Sequence, residues 1–254
     1  MLDIIITVKE TNTGSVSLGV GYSSLNSASI SFGLREKNFL GEGKEVDLEA
    51  NLSDKKSTYN FGLTEPYFLD RKLSLSSNIF NQSSENEKGD IKYNSSGFGF
   101  GIGFKKENVS QNYDYRISTS KSTTSSTSTA DSSTGEENKD IMSSSITHTI
   151  VSDTTNSFFN PTSGYRVKFS NTFSGIGGDT SFLKSVVNYR YYIPINYGDY
   201  IFSIKSGAGF ITSLDDKVTS SNRFLLGGNT LRGFDSAGFG PRDTGNNQAV
   251  GRNN

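Results

Sequence analysis

The sequence predicts an all-β chain, folded as a transmembrane antiparallel β-barrel, and three observations lead there. Apolar residues recur at every second position over stretches of about ten residues, about eleven times in succession. Glycine (27), phenylalanine (18) and tyrosine (12) are plentiful among many Ser, Thr and Asn residues, while proline is scarce (4), which is strand-and-turn chemistry. Only 32% of residues are hydrophobic and mean hydropathy is -0.47. That excludes a bundle of spanning helices, each of which needs roughly 20 apolar residues, but suits a barrel wall, where only alternate residues meet lipid.

The strands follow one another as alternating runs. Val16, Leu18, Val20 and Tyr22 alternate with Ser17, Gly19, Gly21 and Ser23. Ile30, Phe32 and Leu34 follow, then Val46, Leu48, Ala50 and Leu52 against Asp47, Glu49 and Asn51. Tyr59, Phe61 and Leu63 make the fourth run. Leu73, Leu75 and Ile79 make the fifth, with one serine out of phase. Phe98, Phe100, Ile102 and Phe104 alternate with four glycines, and Tyr113, Tyr115 and Ile117 come next. Alternation is weakest near 139–151. Tyr165, Val167, Phe169 and Phe173 resume it, then Val187, Tyr189, Tyr191 and Ile193, and finally Phe202, Ile204, Ala208 and Phe210. Period two places one face of each strand in oil and the other in water.

The links alternate in kind. Short ones are expected at Asn38–Lys44, Glu65–Lys72, Lys105–Asn112, Phe158–Gly164 and Asn196–Tyr200. Longer or more polar ones are expected at Asp54–Ser57, Asn81–Lys92, Ser118–Asp140, Ser174–Thr180 and beyond Ser213. One tight end and one long end is the asymmetry of an outer-membrane barrel. The Ser/Thr run Ser118–Thr134 offers nothing to bury and is expected to be disordered. Phe39, Tyr67, Phe68, Phe158, Phe159, Tyr191, Tyr192, Tyr197 and Tyr200 gather at the short-link end, where amphipathic rings sit at headgroup level. A soluble β-sandwich is the alternative, with those rings packed inside. The strand number favours a barrel, because antiparallel sheets this large rarely stay open.

Chemistry is thinly supplied. There is no cysteine and one histidine, so no thiol nucleophile, disulfide framework or zinc–thiolate site exists and metal ligation is poorly provided. Net charge is -1, which makes no case for nucleic acid. Gly97–Gly103 alternates glycines within a strand, not ahead of a helix, and Gly41-Glu42-Gly43-Lys44 lacks phosphate-loop spacing. Asp215-Asp216 reads as solvated loop charge, and His148 stands alone. No catalytic constellation, metal site or cofactor is expected, and no enzyme.

Two stretches remain as candidate sites. Gly227-Gly228-Asn229-Thr230-Leu231-Arg232-Gly233-Phe234, running on to Gly240-Pro241-Arg242, is a glycine-rich loop whose arginine can lie close to backbone and still fork onto a carboxylate. The other is the first strand, Val16–Ser23, where Val16, Leu18, Val20 and Tyr22 alternate with Gly19 and Gly21, residues that weaken pairing.

Together these residues resemble the BamA-like outer-membrane assembly factors, the bacterial surface antigen superfamily with POTRA domains. Leu231-Arg232-Gly233-Phe234, preceded by Phe224-Leu225-Leu226-Gly227-Gly228, is similar to that family's arginine-glycine-phenylalanine loop. Glu10–Gly21 resembles the junction between the last POTRA domain and the first barrel strand. Asn38-Phe39-Leu40-Gly41-Glu42-Gly43 and Glu65-Pro66-Tyr67 resemble its first two periplasmic turns, and Phe159-Asn160-Pro161-Thr162-Ser163-Gly164 the turn before strand nine.

The resemblance implies residues 1–12 as the end of the last POTRA domain. It implies 13–254 as an incomplete barrel, about eleven of sixteen strands, ending at the start of the sixth extracellular loop. Met1-Leu2-Asp3 opens no signal peptide, so Met1 is not expected to be the natural beginning. It implies a protein of the bacterial outer membrane that folds and inserts other barrels. Its partners would be unfolded outer-membrane clients, accessory lipoproteins and outer-membrane lipid, with no nucleic acid. A client strand would pair at Val16, Leu18, Gly19, Val20, Gly21 and Tyr22. Arg232 would pin the loop within the lumen, with Asp47, Glu49 or Asp235 as the local carboxylates and Phe234 as its apolar anchor. The alternatives are a polypeptide-secreting transporter of the same superfamily and a passive porin, which has neither the loop motif nor the POTRA tail.

Overall fold

The computed structural model describes residues 11–23, 27–85, 91–124, 140–215, 222–227, 230–234 and 238–241. Residues 1–10 of the expected POTRA end (1–12), and Asp235, lie outside them, and residues 11–13 carry no strand.

Eleven strands form one sheet in consecutive order, each antiparallel to its sequence neighbours. They are β1 (Gly14–Ser23), β2 (Ser27–Phe39), β3 (Lys44–Ser53), β4 (Lys56–Glu65), β5 (Leu73–Glu85), β6 (Ile91–Lys106), β7 (Val109–Thr124), β8 (Asp140–Asp153), β9 (Gly164–Gly178), β10 (Phe182–Ile195) and β11 (Tyr200–Ser213). The shortest has 10 residues and the longest 16. A tilted strand needs about 9–11 to cross a hydrocarbon core, so every strand is long enough. Among the described residues β1 and β11 do not pair with each other, so the sheet is open.

The register keeps each alternating set on one face. Leu18 stands opposite Phe32, Phe32 opposite Ala50, and Ala50 opposite Tyr59. Farther along, Phe100, Tyr115, Ile146, Phe173 and Leu183 form a row across five strands. This apolar face is not packed against anything. Among the described residues the only buried hydrophobic side chains are Val46, Phe80, Phe182 and Ile211, whereas Phe98, Phe100, Ile102 and Phe104 are each 36–41% exposed. A sandwich of this size would bury one face of every strand. The open apolar face is the lipid-facing side of a barrel wall.

The opposite face is polar and joined by side-chain hydrogen bonds. Asn60 donates to Asp47 at 3.2 Å and Asn78 donates to Asn60 at 3.1 Å, linking β3, β4 and β5. Gly97, Gly99, Gly101 and Gly103 of β6 make room for their neighbours. A Cβ at Gly97 would meet Phe80 at 2.7 Å, and one at Gly101 would meet Asp114 at 2.6 Å. Arg116 reaches across this smooth strip and places its guanidinium 3.6 Å from the Phe80 ring centre, a cation–π contact. The alternating glycines of β6 therefore belong to the wall.

Several expectations need correction. The strands run farther than periodicity indicated, because a polar strand end leaves no alternating signal. β7 extends to Thr124, so Ser118–Thr124 is paired strand, where the side chain of Tyr93 donates to Ser120 and Ser120 to Ser95; residues 125–134 lie outside the described set. Link length also fails to separate the two ends. The expected long end includes the two-residue link 54–55, and the expected tight end includes the ten-residue link 154–163. Aromatic placement separates them better. Phe39, Tyr67, Phe158, Phe159, Tyr197 and Tyr200 are exposed around the end carrying the 40–43, 66–72, 154–163 and 196–199 links. Tyr191 faces outward with Ile204, so its neighbour Tyr192 faces inward opposite Ser203.

Candidate functional site: an edge strand and a returning loop

β1 pairs with β2 from Gly14↔Glu36 to Ser23↔Ser27, and no described strand lies on its other flank. Exposure records the missing neighbour. Val16, Leu18, Val20 and Tyr22 are 69–83% exposed, against 37–52% for Ile30, Phe32 and Leu34 on β2. On the inner face, glycine meets serine in three successive pairs: Ser17 faces Gly33, Gly19 faces Ser31, and Gly21 faces Ser29. A Cβ on Gly19 would run into the Ser31 hydroxyl, and one on Gly21 would lie 3.1 Å from that of Ser29. Backbone bonds carry the pairing, with little side-chain packing to support it. Among the described residues, the inner-face hydrogen bond given by a β1 side chain is Ser17 to the Gly33 carbonyl, at 3.4 Å. Each strand glycine costs about 0.5–1 kcal/mol relative to alanine, so Gly19 and Gly21 loosen the edge.

At the other side of the sheet the chain leaves β11 and turns back onto the inner face. The Phe224 ring packs against Phe182 and Ile211, which is 1% exposed. Gly209 admits the ring: a Cβ there would lie 2.5 Å from it. Lys184 of β10 donates to the Asn222 carbonyl at 2.9 Å, and its ammonium sits 4.6 Å from the Phe224 ring centre. Nearby, Ser174 is fully buried and bonds Thr180 at 2.9 Å and the Ser144 carbonyl at 3.2 Å, satisfying the hydroxyls beneath the contact.

Beyond this root the loop closes on itself. Leu226 and Phe239 form an antiparallel bridge, with the Phe239 amide donating to Leu226 at 3.1 Å. Thr230 caps the turn, its hydroxyl 2.8 Å from the Gly227 carbonyl. Gly233 adopts φ +90° with nothing near its missing Cβ, so the backbone, not crowding, demands glycine there. Phe234 meets Phe239 edge-on, 5.3 Å between ring centres.

The structure thus puts Leu231, Arg232, Gly233 and Phe234 at the loop tip and brings them together, Leu231 half-buried and the other three exposed. It does not bring Arg232 to Asp47 or Glu49; among the described residues Arg232 has no ion-pair partner. The residues that hold the loop are Lys184 and Gly209, to which no sequence motif points, and Phe224, which enters the sequence only as the flank of the loop motif. The available signal was Gly209 itself, since a glycine inside a strand often marks a close approach of another segment. Among the described residues no group of three or more His, Cys, Asp or Glu side chains could hold a metal.

A lipid-facing antiparallel wall with a loop folded against its polar side defines a membrane β-barrel. Comparison with known proteins gives the family: the Omp85 superfamily domain matches residues 38–254, and the chain belongs to that superfamily. It is 27% identical over 251 residues to the outer membrane protein assembly factor BamA of Neorickettsia risticii, covering 98% of this chain and 34% of that protein. It is 29% identical over 260 residues to the BamA of Nitratidesulfovibrio vulgaris, covering 98% and 32%. The human sorting and assembly machinery component 50 homolog is 26% identical over 249 residues, covering 96% of this chain and 52% of that protein. The crystal structure of BamA from Haemophilus ducreyi lacking POTRA domains 1-3 superposes with a TM-score of 0.81 at 25% identity, covering 92% of this chain and 48% of that one. The chain spans about a third of the length of its bacterial curated relatives. Its place is the bacterial outer membrane.

Proposed function

We propose that the protein folds and inserts β-barrel proteins into the outer membrane, and that β1 is the edge on which a client strand pairs. The observation that carries this is the unpaired flank of β1 in a chain of this family. An open edge presents a row of backbone donors and acceptors to an incoming strand. β11 is also open among the described residues, but it is braced by Phe224 and the Lys184 bond at its inner face. The inner face of β1 is built largely of glycine–serine pairs. The process is one of strand exchange and lipid transfer, with no covalent bond made or broken, so the reading is not of an enzyme. Its partners are unfolded outer-membrane clients, the lipid they enter, and accessory lipoproteins of an assembly complex. The loop tip is the second element: Arg232 anchors it within the lumen of the complete protein, with Phe234 as apolar partner.

The test is site-specific crosslinking. The 254 residues contain no cysteine, so thiols placed singly at 16–23 are unique within them. A client carrying a cysteine in its terminal strand is expected to crosslink at alternate positions during insertion. Crosslinking at background level throughout 16–23 would remove the edge-pairing mechanism.

A further inference from the structure

We infer that the inner face of β9–β11 is a binding site for an extended, acidic polypeptide segment. Arg166, Arg190 and Lys205 are direct register partners across the three strands. Lys168 adds a fourth cation one inward position along β9, opposite Asn188. All four point to the face on which Phe224 and Lys184 receive the returning loop, because residues 184, 186, 188 and 190 share it with 205, 207, 209 and 211. Lys168, Arg190 and Lys205 are exposed there.

The carboxylates do not match them. On the inner face of β8–β11 the one acid is Asp153, register partner of Arg166 and 3.4 Å from its guanidinium. The next inward acid, Asp114, is on β7, two strands from β9, and Glu45, Asp47 and Glu49 lie on β3, six strands away. The chain as a whole is near neutral, at -1, so the imbalance is one of placement. Like charges held directly opposite on neighbouring strands repel; Asp153 offsets Arg166 and Asp114 acts on Lys168, while among the described ion pairs none reaches Arg190 or Lys205.

Spacing indicates the ligand. Neighbouring strands are about 4.8 Å apart, so the row Arg166–Arg190–Lys205 spans roughly 10 Å, and Lys168 sits about 6.7 Å along β9. A small anion reaches at most two of these groups. A chain in extended form repeats its same-face side chains every ~6.7 Å and can present several carboxylates to several cations at once, with the arginine forks favouring carboxylate geometry. The lipid-facing side is the opposite face, so headgroups are not presented to the row. The choice of a polypeptide over another polyanion rests on the assembly reading above.

The experiment uses the full-length protein folded in detergent micelles and a fluorescein-labelled twelve-residue peptide of alternating Glu and Ser, with a Gln/Ser peptide as its neutral counterpart. The acidic peptide is expected to bind preferentially, to lose affinity steeply with salt, and to bind at least tenfold more weakly to Arg190→Gln/Lys205→Gln. Arg190→Lys should retain most of the affinity. If the double variant fails to fold, Lys205→Gln alone is expected to weaken binding severalfold, since Lys205 sits at the exposed end of the row. Equal binding of the two peptides, unchanged affinity in a folded Gln variant, or tighter binding of an oligothymidylate of equal charge would each overturn the proposal. Absent peptide binding with client insertion intact removes this site and leaves the assembly reading standing. Intact peptide binding with no insertion activity does the reverse.

Discussion

The ring of Phe224 lies over Gly209, at a place where even a methyl group would be 2.5 Å from it. Strand and loop are fitted to each other at this point, with Phe182 and Ile211 completing the small core. Gly209→Val should expel the ring and cost about 1–3 kcal/mol, the usual penalty for overpacking. A cysteine at Leu225 should then react with maleimide at least fivefold faster. In a Phe224→Ala background the same change should cost much less, because the two sites couple. Additive effects on unfolding in urea would show that the contact does not hold the loop.

Arg232 is exposed at the loop tip and unpaired among the described residues. The anchoring role proposed for it is therefore tested in full-length protein. Arg232→Ala in full-length protein should lower the heat-resistant folded fraction, by about 3 kcal/mol if the guanidinium is buried and paired there, and Arg232→Lys should rescue it only in part. Unaltered heat resistance and client insertion in Arg232→Ala would rule the anchor out.

On the lipid-facing side, Gln111 and His148 form a polar pair at 3.2 Å, with His148 stacked on Tyr113 at 4.3 Å between ring centres. Removing one partner strands the other against lipid. His148→Phe should cost about 1 kcal/mol, while Gln111→Leu/His148→Phe should match or exceed the native stability. Unfolding midpoints in lipid vesicles decide this, and a double variant no better than the single one contradicts it.

The glycine–serine pairs of β1 and β2 set how firmly the edge is held. Gly19→Ala/Gly21→Ala should stiffen β1 by about 1–2 kcal/mol, provided the Ser31 and Ser29 hydroxyls rotate aside. Amide exchange across Val16–Ser23 should slow, and client insertion should slow with it. Slower exchange with undiminished insertion would separate edge looseness from function.

The strands were legible because a lipid-facing sheet writes its pattern plainly. Phe98, Phe100, Ile102 and Phe104 have no second layer to complicate the alternation. What stayed hidden was polar on both faces or depended on a distant segment. Ser118–Thr124 reads as loop composition yet pairs fully within β7. Phe80, out of phase with Ile79, faces inward, where Gly97 leaves room for its ring and the Arg116 guanidinium lies over it. The loop motif stood out by its residues, but its foothold on Gly209 and Lys184 is a contact between segments far apart in the chain, which no local pattern encodes. His148 and Gln111 broke the expected apolar face because their partner lies across a strand boundary.

Among the described residues every strand in this wall hydrogen-bonds only with the strands before and after it in the chain. Within these eleven strands no segment has to find a remote mate, so their pairing does not demand the entropy of closing large loops. Such a wall can zip hairpin upon hairpin, each newly laid ribbon templating the next. The route by which this protein itself is built would then echo, one strand at a time, the service it is proposed to perform for others.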